Sequence, residues 1–237
     1  MRNRHGPGGA RLLRAALIGV ALGATTGAHA GRPFSTEDAG VLERGSCEVE
    51  AFAEAVRDAP TARAASAQFG CGVGARTQLS AAFAQGRIAG ERPRALVLAG
   101  KTRLVDGGAV QPSLTLAYSY THDRPDGASW QRGAVGATGV VTVPARGWLV
   151  HANVGAVAER DPSRTVTVWA LAFERPAAFG SIDAGFELFG DDRSTRWVQV
   201  AARWNFRPET LLFDASIGRQ TGGGSADRVT VGLKWVL

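Results

Sequence analysis

Residues 195–206 read TRWVQVAARWNF. In an extended chain successive side chains point to opposite faces. Val198, Val200, Ala202, Trp204 and Phe206 then share one face, and Gln199, Ala201, Arg203 and Asn205 share the other. A helix would scatter both sets. Neighbouring stretches repeat the pattern. Ile182, Ala184, Phe186 and Leu188 oppose Ser181, Asp183, Gly185 and Glu187. Trp148, Val150, Ala152, Val154 and Ala156 oppose His151, Asn153 and Gly155. Leu211, Phe213, Ala215 and Ile217 oppose Asp214, Ser216 and Gly218. Leu96, Leu98 and Leu104 oppose Lys101 and Arg103, and Leu114, Leu116, Tyr118 and Tyr120 oppose Ser113, Thr115 and Ser119.

Working outward, the period of two runs from Ser46 to Leu237 in twelve segments: 46–56, 62–73, 76–86, 94–105, 111–121, 133–143, 147–159, 164–174, 179–189, 195–206, 210–219 and 227–237. Turn clusters such as Asp106-Gly107-Gly108, Asp161-Pro162 and Arg207-Pro208 separate them. The first segment is alanine-rich, but Glu48, Glu50 and Glu54 alternate with Val49, Ala51 and Ala53, which marks a strand. Two segments alternate less cleanly. Val140, Val166 and Val168 fall on the face that should be polar.

Many antiparallel strands fit either a soluble sandwich or barrel with an apolar inside, or an outer-membrane barrel with an apolar outside. The polar sets are mostly small or charged residues, as a lumen needs. The apolar sets carry charge only at segment ends, at Arg63, Arg94, Arg196, Arg219 and Asp227. A midplane Arg or Lys facing lipid would cost roughly 2–4 kcal/mol. Connections after odd-numbered segments run long (87–93, 122–132, 220–226) and those after even-numbered ones run short, which matches outer loops and periplasmic turns. Trp148, Phe173, Trp204 and Trp235 fall towards the periplasmic interface, and Tyr118, Tyr120 and Phe186 towards the other rim. The fold class is therefore all-β, a single antiparallel transmembrane barrel of about twelve strands over 46–237.

The chain opens with Arg2, Arg4, Arg11 and Arg14, a short apolar run ALIGVAL at 16–22, and Ala-His-Ala at 28–30. That reads as a secretory signal peptide over 1–30, too short in its apolar core to span a bilayer. Cleavage would take four arginines and no acid, so the formal charge of +6 falls to +2. The basic balance then gives no reason to expect a nucleic-acid partner. Residues 31–45, GRPFSTEDAGVLERG, form either a periplasmic lead-in or a plug tucked into the lumen, with Phe34, Val41 and Leu42 giving it reason to dock.

Chemistry-bearing residues sort by face. Inward candidates to line the lumen are Glu48, Glu50, Glu54, Lys101, Arg103, His151, Asn153, Asp183, Glu187, Arg203 and Asp214. Their mixed signs fit a charge-selective pore or an internal ion-pair network. Cys47 and Cys71 lie on matching faces, opposed if the hairpin turns near Ala59, and an oxidising compartment favours a disulfide. His151 has no serine two residues on; Ser181 and Ser216 are not tied to it by spacing, and His122 sits in the longest loop. No metal-ligand cluster or phosphate loop is present, so no metal or cofactor is expected, and no enzyme. The last segment, VTVGLKWVL, puts Val229, Val231, Leu233, Trp235 and Leu237 on one face and reads as the closing strand and assembly signal.

Phe34, Thr36, Glu37, Asp38, Gly40, Leu42 and Gly45, followed by Glu48 or Glu50, resemble the opening F-x-T-E-D-x-G-x-L-x-x-G of the meta-pathway phenol-degradation family of proteobacterial outer-membrane barrels. FELFGDDR, 186–193, is also similar to such chains. The resemblance implies a barrel of the transporter kind. One departure is Leu237, where such barrels usually end in Phe or Trp. The expected function is porin-like passage of a small solute, aromatic or hydrophobic solutes included. The alternatives are a closed structural or adhesion barrel, or a barrel-embedded hydrolase using His151. Expected partners are outer-membrane lipid, the barrel-assembly machinery and an unspecified solute.

Overall fold

The computed structural model describes residues 34–160 and 165–237. The signal peptide read over 1–30 and the Asp161-Pro162 turn lie outside the described residues. Twelve strands follow in order: β1 (Cys47–Arg57), β2 (Ala62–Gly74), β3 (Thr77–Ile88), β4 (Arg94–Val105), β5 (Ser113–Arg124), β6 (Gln131–Ala145), β7 (Trp148–Ala158), β8 (Thr165–Phe179), β9 (Ile182–Asp191), β10 (Arg196–Arg207), β11 (Leu211–Gly222) and β12 (Asp227–Val236). Each pairs antiparallel with its sequence neighbours, and β12 pairs back onto β1 to close the barrel. The closing register runs from Glu48 opposite Val236 to Arg57 opposite Asp227. Closure leaves no open edge, the condition for a sheet to cross hydrocarbon.

The faces of the alternating segments are those their sequences define. Leu98, Val154, Val200 and Ile217 point outward at mid-strand and are more than half exposed. A soluble monomer rarely carries so continuous an apolar belt, whereas in lipid it costs nothing. The aromatic girdle differs in part. Trp204, Phe206 and Phe213 cluster near the β10–β11 turn, with ring centroids 5.0 and 6.0 Å from Trp204. Trp235 stands opposite Leu211 at the same end. Phe186, however, does not reach the other rim: it lies directly opposite Phe173 and stacks on it at 4.9 Å. The expected loop asymmetry is also weaker. β5 and β6 extend into the loop between them, leaving 125–130, while the β4–β5 connection at the termini end spans 106–112. Strand pairing consumed residues whose polarity alone reads as loop.

Cys47 and Cys71 stand opposite each other in register and form a disulfide between β1 and β2. It closes a loop at the very start of the barrel. Reducing it is expected to lower unfolding stability by about 2–4 kcal/mol. Urea titration of the folded protein with and without reductant, read by heat-modifiable gel mobility, checks this; equal midpoints would contradict it.

Candidate functional site

The site is the barrel interior, and residues 34–44 occupy it. Arg44 bridges to Gly72 of β2, and much of the rest of this extended segment's backbone finds side-chain partners. Inward side chains supply them. Glu187 on β9 accepts from the amides of Ser35, at 2.8 and 2.9 Å, and Thr36, at 2.8 Å, and from the Thr36 hydroxyl at 2.7 Å. Asn153 on β7 accepts from the Glu37 amide at 2.6 Å and donates to the Glu37 carbonyl at 3.0 Å. Thr142 on β6 accepts from the Ala39 amide, and Thr115 on β5 donates to the Ala39 carbonyl, both at 2.8 Å. Gln78 on β3 accepts from the Leu42 amide at 2.7 Å. Five strands, β3, β5, β6, β7 and β9, thus hold one short strip of chain.

Charge reinforces this. The Lys101 ammonium, fully buried, donates to the Asp38 carbonyl at 2.8 Å and to the Glu37 carboxylate at 3.2 Å. Burial pushes the Glu37 carboxyl well above the usual range, with Lys101 pulling the other way. Burial acts on Asp38 too, but Lys101, His151 and Lys234 outweigh it and hold its carboxyl down to about 2. The phenyl ring of Phe34 packs with Ala172 and Ala201. A side chain at Gly185 would meet that ring at 2.7 Å, so the absence of a Cβ there makes its socket. At the other end Gly72 lies so close to the Glu43 carbonyl that any Cβ would overlap it. Gly45 there donates to the Gly72 carbonyl at 2.9 Å and ties the segment to β2.

The acids of β1 pair instead with β12. Glu48 and Glu50 lie 2.6 and 3.3 Å from the Lys234 ammonium, and Glu54 lies 2.5 Å from Arg228, which also donates to the Ser35 hydroxyl at 2.9 Å. Arg203 stands opposite Asp183 on one side and Asp214 on the other. Asp183 accepts from Asn205 at 3.0 Å and from the Ala177 amide at 2.8 Å. Arg103 sits at the rim, 3.6 Å from Asp106. The eleven sequence candidates therefore separate into groups. Lys101, Asn153 and Glu187 hold the segment directly, His151 does so through Thr142, the β1 acids pair with β12, and Arg203 stands opposite Asp183 and Asp214 along the wall.

His151 belongs to a relay. The Ala39 amide donates to Thr142, whose hydroxyl meets His151 Nδ1 at 2.9 Å, and His151 Nε2 faces Glu174 at 3.2 Å. That wiring gives each ring nitrogen a polar partner. Neither Ser181 nor Ser216 is a partner of this histidine; the Ser181 carbonyl accepts from Asn205 and Ser216 faces Ala201 and Thr230. Arg228, Lys234, Glu174, Thr142 and Gln78 were not among the sequence candidates. Arg228 and Lys234 share the parity of Thr230, an inward residue of the closing strand, which is the signal that finds them.

The interior is not polar throughout. Val157, Val166, Val168 and Ala134 point inward and pack together, and Val140 packs with Ala39 and Ala117. Phe189 and Trp197, inward on β9 and β10, stack at 6.2 Å, with the Arg228 guanidinium 5.5 Å from the Phe189 ring. Val166 and Val168 thus line an apolar stretch towards the end away from the termini, while Val140 lies at the level of the segment, opposite Thr115 and Asn153. Among the described residues, no group of three His, Cys, Asp or Glu side chains could hold a metal.

A closed antiparallel barrel, apolar outside and polar within, defines the class: this is an outer-membrane β-barrel. The chain belongs to the family described as Uncharacterised conserved protein UCP029691, whose model matches residues 18–236. Its fold is similar to the COG4313 outer membrane channel from Pseudomonas putida F1, with a TM-score of 0.61 and 11% identity over 84% of this chain and 98% of that one. It is similar to the KdgM porin in complex with disordered oligogalacturonate, with a TM-score of 0.56 and 8% identity over 79% and 98%. The outer membrane phospholipase A from Escherichia coli also shares it, with a TM-score of 0.50 and 10% identity over 84% and 93%. At such identities the likeness concerns the fold alone. No curated protein sequence matches the chain.

Proposed function

We propose that this protein is a porin-like outer-membrane transporter for a small aromatic or hydrophobic solute, with residues 34–44 acting as a plug that must shift for passage. The observation that carries the reading is the two-zone interior. An apolar stretch with the stacked Phe189 and Trp197 leads to a strip of chain held by side-chain hydrogen bonds rather than by strand pairing. Such bonds are individually modest and can exchange with water. The resemblance of residues 34–45 to the phenol-degradation family agrees with a barrel of the transporter kind. In this reading Lys101, Glu187 and Asn153 set the closed state, and the wall pairs at Glu48, Glu50, Glu54, Arg203, Asp183 and Asp214 keep the lumen rigid. Uptake of labelled phenol and labelled glucose by vesicles carrying the refolded barrel tests it. Faster phenol entry supports the reading; equal rates at the level of empty vesicles would reject it.

Full burial of Lys101 and Glu187 favours a second reading, a closed structural barrel that conducts nothing. A pH series separates the two. The stabilising contribution of Asp38 is complete above its ordinary value of 3.8 and is lost as pH falls through about 2. The raised Glu37 works oppositely, since protonation relieves its burial cost. Bilayer conductance should therefore stay at its closed level from pH 7 to 4 and rise between pH 4 and 2. A structural barrel stays silent throughout.

Insertion would use the closing strand as its signal to the barrel-assembly machinery. Trp235, on the outer face of the closing strand, is the residue on which recognition would rest. Trp235→Ala should lower the membrane-inserted fraction several-fold in a pulse-chase fractionation, and an unchanged fraction would remove this role.

A further inference from the structure

One feature of the outer wall is not used by passage. Arg63 on β2, Arg87 on β3, Arg94 on β4, Arg124 on β5 and Arg132 on β6 all sit within two residues of the strand end away from the termini. All five are exposed and lie on the face opposite the lumen. Arg63 is directly opposite Arg87, and Arg94 is directly opposite Arg124. Like charges in direct cross-strand register repel. Among the described residues none of the five makes an ion pair; Arg124 donates only to the Ala128 carbonyl, at 3.2 Å. Elsewhere on the same rim the charges balance: Arg219 lies 3.8 Å from Asp227, which also stands opposite Arg57.

The height of the row identifies what would neutralise it. Below the arginines the same outward columns turn apolar at Phe83, Leu98 and Tyr118, the wall that faces lipid tails. The guanidinium groups therefore lie at the level where headgroups begin. A guanidinium presents a fork of donors that matches phosphate oxygens in pairs. We propose that the β2–β6 rim is a binding site for the phosphorylated headgroup of a glycolipid anchored in the outer leaflet, with the phosphates bridging the opposed arginine pairs. The inference rests on the outer-membrane placement of the barrel, and it is independent of whether the barrel conducts.

The test is native mass spectrometry of the refolded mature chain in detergent, titrated with diphosphoryl lipid A. Wild type should retain the lipid. A variant with all five arginines changed to Gln should bind at least about tenfold more weakly, since each basic residue near an anionic surface adds to the attraction. The corresponding five Lys substitutions should keep much of the affinity, and Arg146→Gln with Arg207→Gln at the opposite rim should keep all of it. If the five-Gln chain fails to fold, the pairs Arg63→Gln/Arg87→Gln and Arg94→Gln/Arg124→Gln are tested separately, each expected to weaken binding. Equal binding by the Gln variants, or equal binding of the lipid stripped of its phosphates, would each overturn the proposal. Heat-modifiable folding and insertion of wild type into vesicles are read in parallel. If they fail, the membrane placement is wrong; if they succeed without lipid retention, only this site is.

Discussion

Deleting residues 34–45 should turn a barrel that is silent in planar bilayers into a conducting one, raising mean conductance at least about tenfold. The expectation follows from what the segment occupies. It engages Glu187, Asn153, Thr142, Thr115, Lys101 and Gln78, which project from six strands into one cross-section. Removing it leaves those side chains facing an empty, polar cross-section that water will enter. The deletion stops short of Cys47, so the disulfide and the β1–β12 seam remain. Glu187→Ala should act in the same direction but less strongly. It takes away the acceptor for three donors of Ser35 and Thr36 while Asn153 and Lys101 still hold Glu37 and Asp38. If the truncated barrel folds, by heat-modifiable mobility, and still shows no channel events, the segment does not govern the lumen.

The second large effect lies on the opposite surface. Leu98→Arg should destabilise the barrel in lipid by roughly 2–4 kcal/mol, and Leu104→Arg by about 0–1 kcal/mol. Both leucines are exposed on the outer face of β4, but Leu98 is near mid-strand and Leu104 is next to its end. Water treats an exposed arginine kindly at either place. Hydrocarbon does not, and the penalty depends on depth. Urea unfolding of both variants in lipid vesicles measures the difference. Equal, small changes would mean that this wall does not meet lipid tails.

Much of this architecture is written in the parity of the chain. The assignment of Lys101, Arg103, His151, Asn153, Asp183, Glu187, Arg203 and Asp214 to the inside needs only the fact that a strand alternates. The same rule sets Cys47 against Cys71 once the hairpin centre is placed. What parity does not carry is which inward residues meet, because that depends on how strands distant in sequence come round the barrel. Glu187 and Ser35 are 152 positions apart, and the carboxylate looks like one more lumen charge until residues 34–44 are seen crossing beneath it. Val140, Val166 and Val168 broke the expected polarity for a related reason. A lumen partly filled by Ala39 and by neighbouring apolar side chains has no need of polar groups there. The misplaced Phe186 and the overestimated loop at 122–132 both come from strand ends, where polar residues can continue pairing and sequence alone sets the boundary poorly.

The central claim is that the barrel interior is closed by the chain's own N-terminal segment, held by side chains of the wall. Amide hydrogen exchange in the detergent-folded protein tests it most directly. The account predicts that the amides of Ser35, Thr36, Glu37, Ala39 and Leu42, each bonded to a lumen side chain, exchange far more slowly than an unfolded peptide, and that Glu187→Ala releases Ser35 and Thr36 first. Exchange of all five at unprotected rates, with the strand amides still protected, would contradict it.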